Sequence, residues 1–201
     1  METKKNKTTL LIMAAGMGSR FGSLKQLALL GPHKKTLLHY SIYDAVHAGF
    51  DKIVFIIRRS FENEFKEAVG KYAESLVETV YCFQEMDQLP GNLPPIQREK
   101  PWGTAHAIWA AKDHIHEPFI AINADDFYGR DAFVKMHDFI ADNQDERCFS
   151  LAGYQLAATL SENGTVSRGI CTVDQDNIII LCIVKIGDHT VIKFLDQPIV
   201  F

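Results

Sequence analysis

Residues Thr9–Leu27 read TLLIMAAGMGSRFGSLKQL. Thr9–Met13 is a short apolar run with no helical period, which suits a parallel strand buried on both faces. It runs directly into Ala14, Ala15 and glycines at 16, 18 and 22. Glycine at 16 and 18 allows the backbone to turn with positive φ and to approach a ligand closely, so that N–H groups converge on phosphate oxygens. Arg20 and Lys25 follow. Amides supply directional donors and the cations offset accumulated charge, so the loop suits several phosphates at once, as in a nucleoside triphosphate. Taken alone, Gly-x-Gly after a strand also reads as a tight βα turn. A dinucleotide fingerprint is disfavoured by the Gly-x-Gly-x-x-x-Gly spacing, and by Arg58 and Arg59 where the next strand's end would carry an acid. No Gly-Lys-Ser/Thr follows, so the loop is not a P-loop.

Outward from this loop, Thr36 is placed to cap a helix whose apolar residues Leu38, Ile42, Ala45 and Val46 share a face, with Gly49 as its stop. Lys52–Ile57 reads as a second strand. A helix from Phe61 to Leu76, with Phe61, Phe65, Ala68 and Tyr72 inward, leads to a third strand over Val77–Phe83. Residues 84–101, QEMDQLPGNLPPIQREKP, form a long polar connection of the kind that is functional or a surface excursion. A helix over 104–114 and a strand over Phe119–Asn123 follow, and Asp131 is placed to cap a helix bearing Phe133, Met136, His137 and Ile140. After Asn143 the pattern turns to strands: Cys148–Leu156, Gly169–Val173 and Ile178–Ile186, with turns at 162–164 and 174–177. This order predicts an α/β fold: a Rossmann-like, open, mostly parallel (mixed) sheet with helices on both faces and a β-rich C-terminal extension. Ligands of such sheets bind outside the carboxyl ends of the strands.

The 201 residues are 47% hydrophobic and 23% charged, enough for one globular domain with a sizeable core. A net charge of −4 argues against a nucleic-acid surface that works by counterion release. Cysteines at 82, 148, 171 and 182 lack Cys-x-x-Cys spacing, so reduced thiols in the cytoplasm are expected rather than disulfides or zinc. Lys4, Lys5 and Lys7 precede an apolar run too short for a signal peptide, and no membrane partner is expected.

The stretches AAGMGSRFGSLKQL, REKPWGTAHA and NADDFYG resemble, in order, the three motifs of the nucleotidylyltransferase superfamily, over Leu10–Gly129. The resemblance implies transfer of a nucleoside monophosphate from a triphosphate to a phosphorylated acceptor, of nucleotide-sugar type, with Mg²⁺. It divides the single domain into a nucleotide-binding part, 1–145, and a partial acceptor-binding part, 146–201. It also implies nucleotide contacts from Ala14, Ala15, Gly16 and Gly18, and base recognition by Gln84 with Gly103, Thr104 and Ala105. Asp125 matches the metal ligand, with Asp126 bracing the loop or a water, although an Asp-Asp pair is elsewhere often a helix cap or a solvated turn. Arg20 would hold the departing pyrophosphate and Lys25 would bridge the α-phosphate and the acceptor. Gly169 would offer backbone to the acceptor.

His106 reads as packing or capping, and Asp113, His114 and His116 as a surface cluster. Beyond Cys171 the family would carry a glutamate on the next strand and further chain with a second metal-binding carboxylate. Here Asn177–Lys185 has no glutamate, and the C-terminal part is expected to be truncated or divergent. Its apolar end offers a homo-oligomer interface. A nucleotide-binding remnant or regulator on the same fold is the alternative, and an NAD(P)-binding domain a third; only the third predicts dinucleotide affinity without metal.

Overall fold

In the computed structural model, residues 7–16, 30, 32, 35–91, 102–143, 145, 147–160, 169–186, 189–194 and 199–200 are described. The chain divides into two compact units, Met1–Ala141 and Asp142–Phe201.

In the first unit, β1 (Thr9–Met13), β2 (Lys52–Ile57), β3 (Glu78–Phe83) and β4 (Phe119–Asn123) form one sheet in the order β3-β2-β1-β4. All three pairings are parallel, with Met13 opposite both Ile56 and Asn123. The unbroken apolar runs of β1 and β2 follow from this placement, since both faces of the central strands are covered. Leu10, Ile12, Ile53, Phe55 and Ile57 pack on one face with α1 (Leu37–Ala48) and with Phe65, Val69, Ala73 and Phe133. Leu11, Val54, Ile56 and Cys82 pack on the other with Ala107 and Ala111, from α4 (Thr104–Ala110) and the turn after it. Burial pushes the Cys82 thiol up to about 11, so it stays protonated and unreactive near neutral pH. The expected fold class is present, with helices on both faces of a parallel sheet.

α1 starts and stops where the sequence places it. The Thr36 N–H donates to His39 Nδ1 at 3.2 Å, and Gly49 closes the helix at φ 118. The next helix differs from expectation. A 3₁₀ turn (Arg59–Phe61), α2 (Glu62–Phe65), a π turn (Lys66–Gly70) and α3 (Lys71–Glu74) replace one continuous helix. The wider π turn changes the inward set from 61, 65, 68 and 72 to a fully buried row of Phe65, Val69 and Ala73, with Ala68 and Tyr72 only partly buried. Gly70 permits this packing, because a Cβ there would lie 2.2 Å from the Tyr81 hydroxyl oxygen. α4 ends at Ala110 rather than 114. In α5 (Arg130–Asp142), Asp131 sits inside the first turn, paired with Lys135 at 2.8 Å rather than capping. Among the described residues no helix is long and apolar enough to cross a membrane.

In the second unit, β6 (Gly169–Val173), β7 (Ile179–Ile186) and β8 (His189–Phe194) form an antiparallel meander. Asp174 Oδ1 shapes the β6–β7 turn by accepting from the N–H groups of Asp176 at 2.9 Å and Ile178 at 2.8 Å. Asn177 takes the left-handed conformation there, with φ 60. The strand expected over Cys148–Leu156 is only β5 (Phe149–Ser150), paired with β9 (Ile199–Val200), and a 3₁₀ turn occupies Leu156–Thr159.

At the amino-terminal edge of the first sheet, Lys52 Nζ donates to Glu117 Oε1 at 2.8 Å and to the His114 carbonyl at 2.6 Å. Thr9 Oγ1 donates to the same carboxylate. Burial works to raise the Glu117 pKa, but the hydrogen bonds from Lys52, Thr9 and the His116 N–H, with the Lys52 charge, hold it at about 2. The unfolded chain therefore takes up this proton at a higher pH than the folded one. The stability Glu117 contributes is whole above its ordinary value of 4.5 and is lost as pH falls toward about 2. Denaturation midpoints measured across that window are expected to fall with pH, and Glu117→Gln is expected to flatten the fall. Gly49→Ala is expected to cost about 1–3 kcal/mol in urea unfolding. Its φ of 118 disfavours a side chain, and the new Cβ would meet His137 Nε2 at 2.7 Å.

Candidate functional site

Because the strands are parallel, the ends of β3, β2, β1 and β4 release Gln84, Arg58, Ala14 and Ala124 at one edge of the sheet. The ladder continues one residue past the strands. The Gln84 N–H donates to the Ile57 carbonyl at 2.9 Å, the Ala14 N–H to Ile56 at 2.8 Å and the Ala124 N–H to Met13 at 3.2 Å. Ala14 thus spends its amide within the sheet, and Ala14 and Ala15 are buried. Gly16 emerges exposed, with nothing within 4 Å of where a Cβ would stand. It is not among the described glycines with positive φ. What glycine provides at this position is clear space over the chain rather than a left-handed turn. Gly18, Gly22, Arg20 and Lys25 lie outside the described residues.

Gln84 is 7% exposed. Its Nε2 donates to the Trp102 carbonyl at 3.1 Å and the Gly103 carbonyl at 3.3 Å, and lies 3.2 Å from His106 Nδ1. His106 Nε2 faces the Gln88 carbonyl, which can only accept. Nε2 therefore carries the ring proton and Nδ1 accepts from Gln84. Trp102 Nε1 donates to the Met86 carbonyl at 3.0 Å. These bonds staple the loop after β3 to the start of α4. They also consume the Gln84 donor, leaving Oε1 as the part of the side chain with no partner among the described residues. Gly103 and Thr104 are exposed beside it, and a Cβ on Gly103 would meet nothing within 4 Å.

His106, read from sequence as packing or capping, is the bridge of this arrangement. Nothing in its local spacing reveals that, because its partners at 84 and 88 stand across a long connection. The one local trace is helical: Trp102 and Trp109 flank His106 with ring centroids 5.8 and 5.4 Å away.

Asp125 is exposed at the end of β4, next to the chain leaving β1. Its neighbour Asp126 braces the loop: Asn123 Nδ2 donates to Asp126 Oδ2 at 2.8 Å, and the Tyr128 hydroxyl donates to the same oxygen at 3.4 Å. The Asn123 N–H donates in turn to the Tyr128 oxygen at 2.9 Å. Asp125 has no hydrogen-bond partner among the described residues, so its carboxylate is open to a ligand. No three His, Cys, Asp or Glu side chains converge among those residues. A lone carboxylate fits a hard cation that keeps its waters and shares the ligand's phosphates, as Mg²⁺ does.

The hydrogen bond from Lys112 lowers the pKa of the exposed Asp113 carboxyl from its ordinary value. His114 and His116 meet their neighbours through backbone atoms, to Lys52 and Glu117. Gly169 belongs to the second unit, where it opens β6 opposite Val184 and is exposed. Residues 161–168 before it lie outside the described residues.

The nucleotidyl transferase family model matches residues 9–182. A UTP–glucose-1-phosphate uridylyltransferase of Bacillus subtilis (strain 168) is 28% identical in an alignment 130 residues long that covers 58% of this chain and 43% of that protein. The chain thus matches less than half the length of that curated relative. A UDP-glucose pyrophosphorylase complexed with UDP-glucose superposes with a TM-score of 0.52 at 18% identity, over 89% of this chain and 67% of that one. A Bacillus anthracis structure assigned as a glucose-1-phosphate thymidylyltransferase, in complex with a sucrose, gives 0.60 at 15% identity, over 95% and 70%. At these identities the structural likeness is one of fold.

Gln84→Glu keeps the shape of the side chain and removes its donor. A carboxylate would then face the carbonyls of Trp102 and Gly103, so the variant is expected to lose about 1–3 kcal/mol in chemical denaturation. Proteolysis within residues 84–101 should accelerate at the same time, since the loop loses its tie to α4.

Proposed function

The chain belongs to the nucleotidyl transferase family, and on that premise we propose that it transfers a nucleoside monophosphate from a triphosphate to a phosphorylated acceptor of the sugar 1-phosphate class, releasing pyrophosphate. The observation that carries this reading is the carboxyl edge of the sheet. Ala14–Gly16 leave β1, the unpartnered Asp125 leaves its neighbour β4, and Gln84, hydrogen-bonded to Gly103, leaves β3, one strand from β1 on the other side. The names of the relatives, which pair UTP or thymidylyl transfer with glucose 1-phosphate, support the same acceptor class. With Gln84 offering an acceptor, a base that presents a ring N–H, uracil or thymine, is the favoured partner.

In this reading a phosphate oxygen of the acceptor attacks the α-phosphorus in line. That oxygen is ionised near neutral pH, so the reaction calls for no general base. The work of the protein is positioning and charge neutralisation. Amides of the Ala15–Gly18 loop hold the triphosphate, Arg20 holds the departing pyrophosphate, and Lys25 spans the α-phosphate and the acceptor. Asp125 would hold Mg²⁺, which supplies further neutralisation of phosphate charge when bound. Gly169 is proposed to meet the acceptor's hydroxyls.

A second reading, triphosphate binding with little transfer, rests on residues 177–185, where the family resemblance calls for a glutamate and none stands. Pyrophosphate release, assayed with each nucleoside triphosphate against several sugar 1-phosphates and phosphocholine, decides between the two. The expected outcome is turnover with UTP or dTTP and a sugar 1-phosphate. Calorimetric triphosphate binding without turnover selects the second reading, and absence of binding removes both. Asp125→Asn is expected to lower any turnover about 10²–10³-fold at normal Mg²⁺, with an unchanged thermal melt because the side chain is exposed.

A further inference from the structure

The two arginines that follow β2 have different fates. The Arg59 guanidinium lies 4.0 Å from the centroid of the Phe83 ring, and the Arg59 backbone N–H donates to Glu85 Oε1 at 3.1 Å. The backbone carbonyl of Arg58 accepts from the Phe61 N–H at 3.3 Å, but its side chain has no hydrogen bond or ion pair among the described residues, and its Nη2 is buried with no partner. Yet Arg58 stands in a telling place. Its backbone is extended, with φ −104 and ψ 147, so the alternation of β2 carries on through it. Val54 and Ile56 face α4, and Arg58 continues that row. Cys82 on β3 faces the same way, and Gln84 continues its row beside Arg58. On the other side, β1 delivers Ala14–Gly16, joined to β2 by the Ala14–Ile56 hydrogen bond. Arg58 is therefore rooted between the segment bearing Gln84 and the glycine loop, on the face where Gly103 leaves open space.

A guanidinium nitrogen withdrawn from water without a counter-charge is costly to the free protein, and an anion compensates it far better than a neutral carbonyl does. We propose that Arg58 is a phosphate-binding residue of the nucleotide site, its partner being the triphosphate anion of the bound nucleotide. The inference rests on the nucleotide reading given above and adds to it a cation from the second strand. The stability of the free protein is sacrificed for ligand affinity at this position, so the two quantities should move in opposite directions when Arg58 is removed.

The test compares wild type with Arg58→Met, which fills similar space without charge, and Arg58→Lys, which keeps charge but loses the fork of donors. Thermal melting of the ligand-free proteins is read beside calorimetric affinity for Mg²⁺-UTP, Mg²⁺-dTTP and inorganic tripolyphosphate, with uridine binding followed by NMR titration. Arg58→Met is expected to melt at or above the wild-type temperature and to lose roughly 10- to 100-fold in affinity for the triphosphates and tripolyphosphate. Its uridine affinity should be unchanged, and Arg58→Lys should recover part of the loss. Wild-type affinity in Arg58→Met would overturn the proposal. So would a loss shared equally by uridine, which would place Arg58 at the base, or a depressed melting temperature in both variants, which would make it a structural cation. If the wild type binds none of these ligands, the nucleotide reading itself falls and takes the proposal with it, a result visible before any substitution.

Discussion

Everything that distinguishes this chain depends on β1 being paired in parallel on both sides, with β2 and β4 in matching register. Parallel pairing sends every strand's carboxyl end to one edge, and helices on both faces leave that edge as the place where loops can reach a ligand. The core residues of β1 and β2 are wholly enclosed, so the loops leave from a platform that moves little. Segments as distant in sequence as Gly16, Gln84 and Asp125 leave the sheet at this same edge.

The two edges of this sheet are opposites in their electrostatics. At the amino-terminal edge, Lys52, Glu117, Thr9 and the His114 carbonyl satisfy one another in a partly buried network. Such a network leaves nothing for a ligand to take and helps to hold the starts of β1, β2 and β4 together. At the carboxyl edge the polar groups divide into braces and open ends. Asp126, Tyr128, His106 and the Gln84 amide nitrogen are braces. Asp125, Gln84 Oε1 and Arg58 Nη2 have no partner among the described residues. Of these only Arg58 Nη2 is buried, where an unpaired polar group costs free energy, while the exposed Asp125 carboxylate is free for a ligand to take.

Local rules were strongest where one physical signal decided the outcome. Thr36 and Gly49 marked α1, the apolar runs marked β1, β2 and β4, and Asp174–Asn177 marked a turn, because capping, burial and turn chemistry act over a few residues. The stretch after β2 escaped that reading. A π turn forms where Gly70 lets Tyr81 approach, and neither partner's neighbours announce the other. β5 escaped it for a similar reason: an apolar run between Cys148 and Leu156 resembles a strand, but only Phe149–Ser150 has a partner to pair with.

The sequence by itself determined the fold class, the four strands of the parallel sheet and the family, since hydrophobic period and three ordered motifs are properties of the chain alone. It also named Gln84, Gly103 and Asp125 as residues of interest. Only the tertiary structure decided what each has left to give a ligand. Gln84 keeps an acceptor and not a donor because carbonyls 18 and 19 residues away take its N–H groups. Asp125 rather than Asp126 is open because Asn123 and Tyr128 turn inward on the second carboxylate. Arg58 and Arg59, adjacent in sequence, part ways because an extended strand sends successive side chains to opposite faces, and only one of those faces supplied an aromatic ring. Hydrogen-bond supply is settled by the whole fold, and no window of sequence contains it.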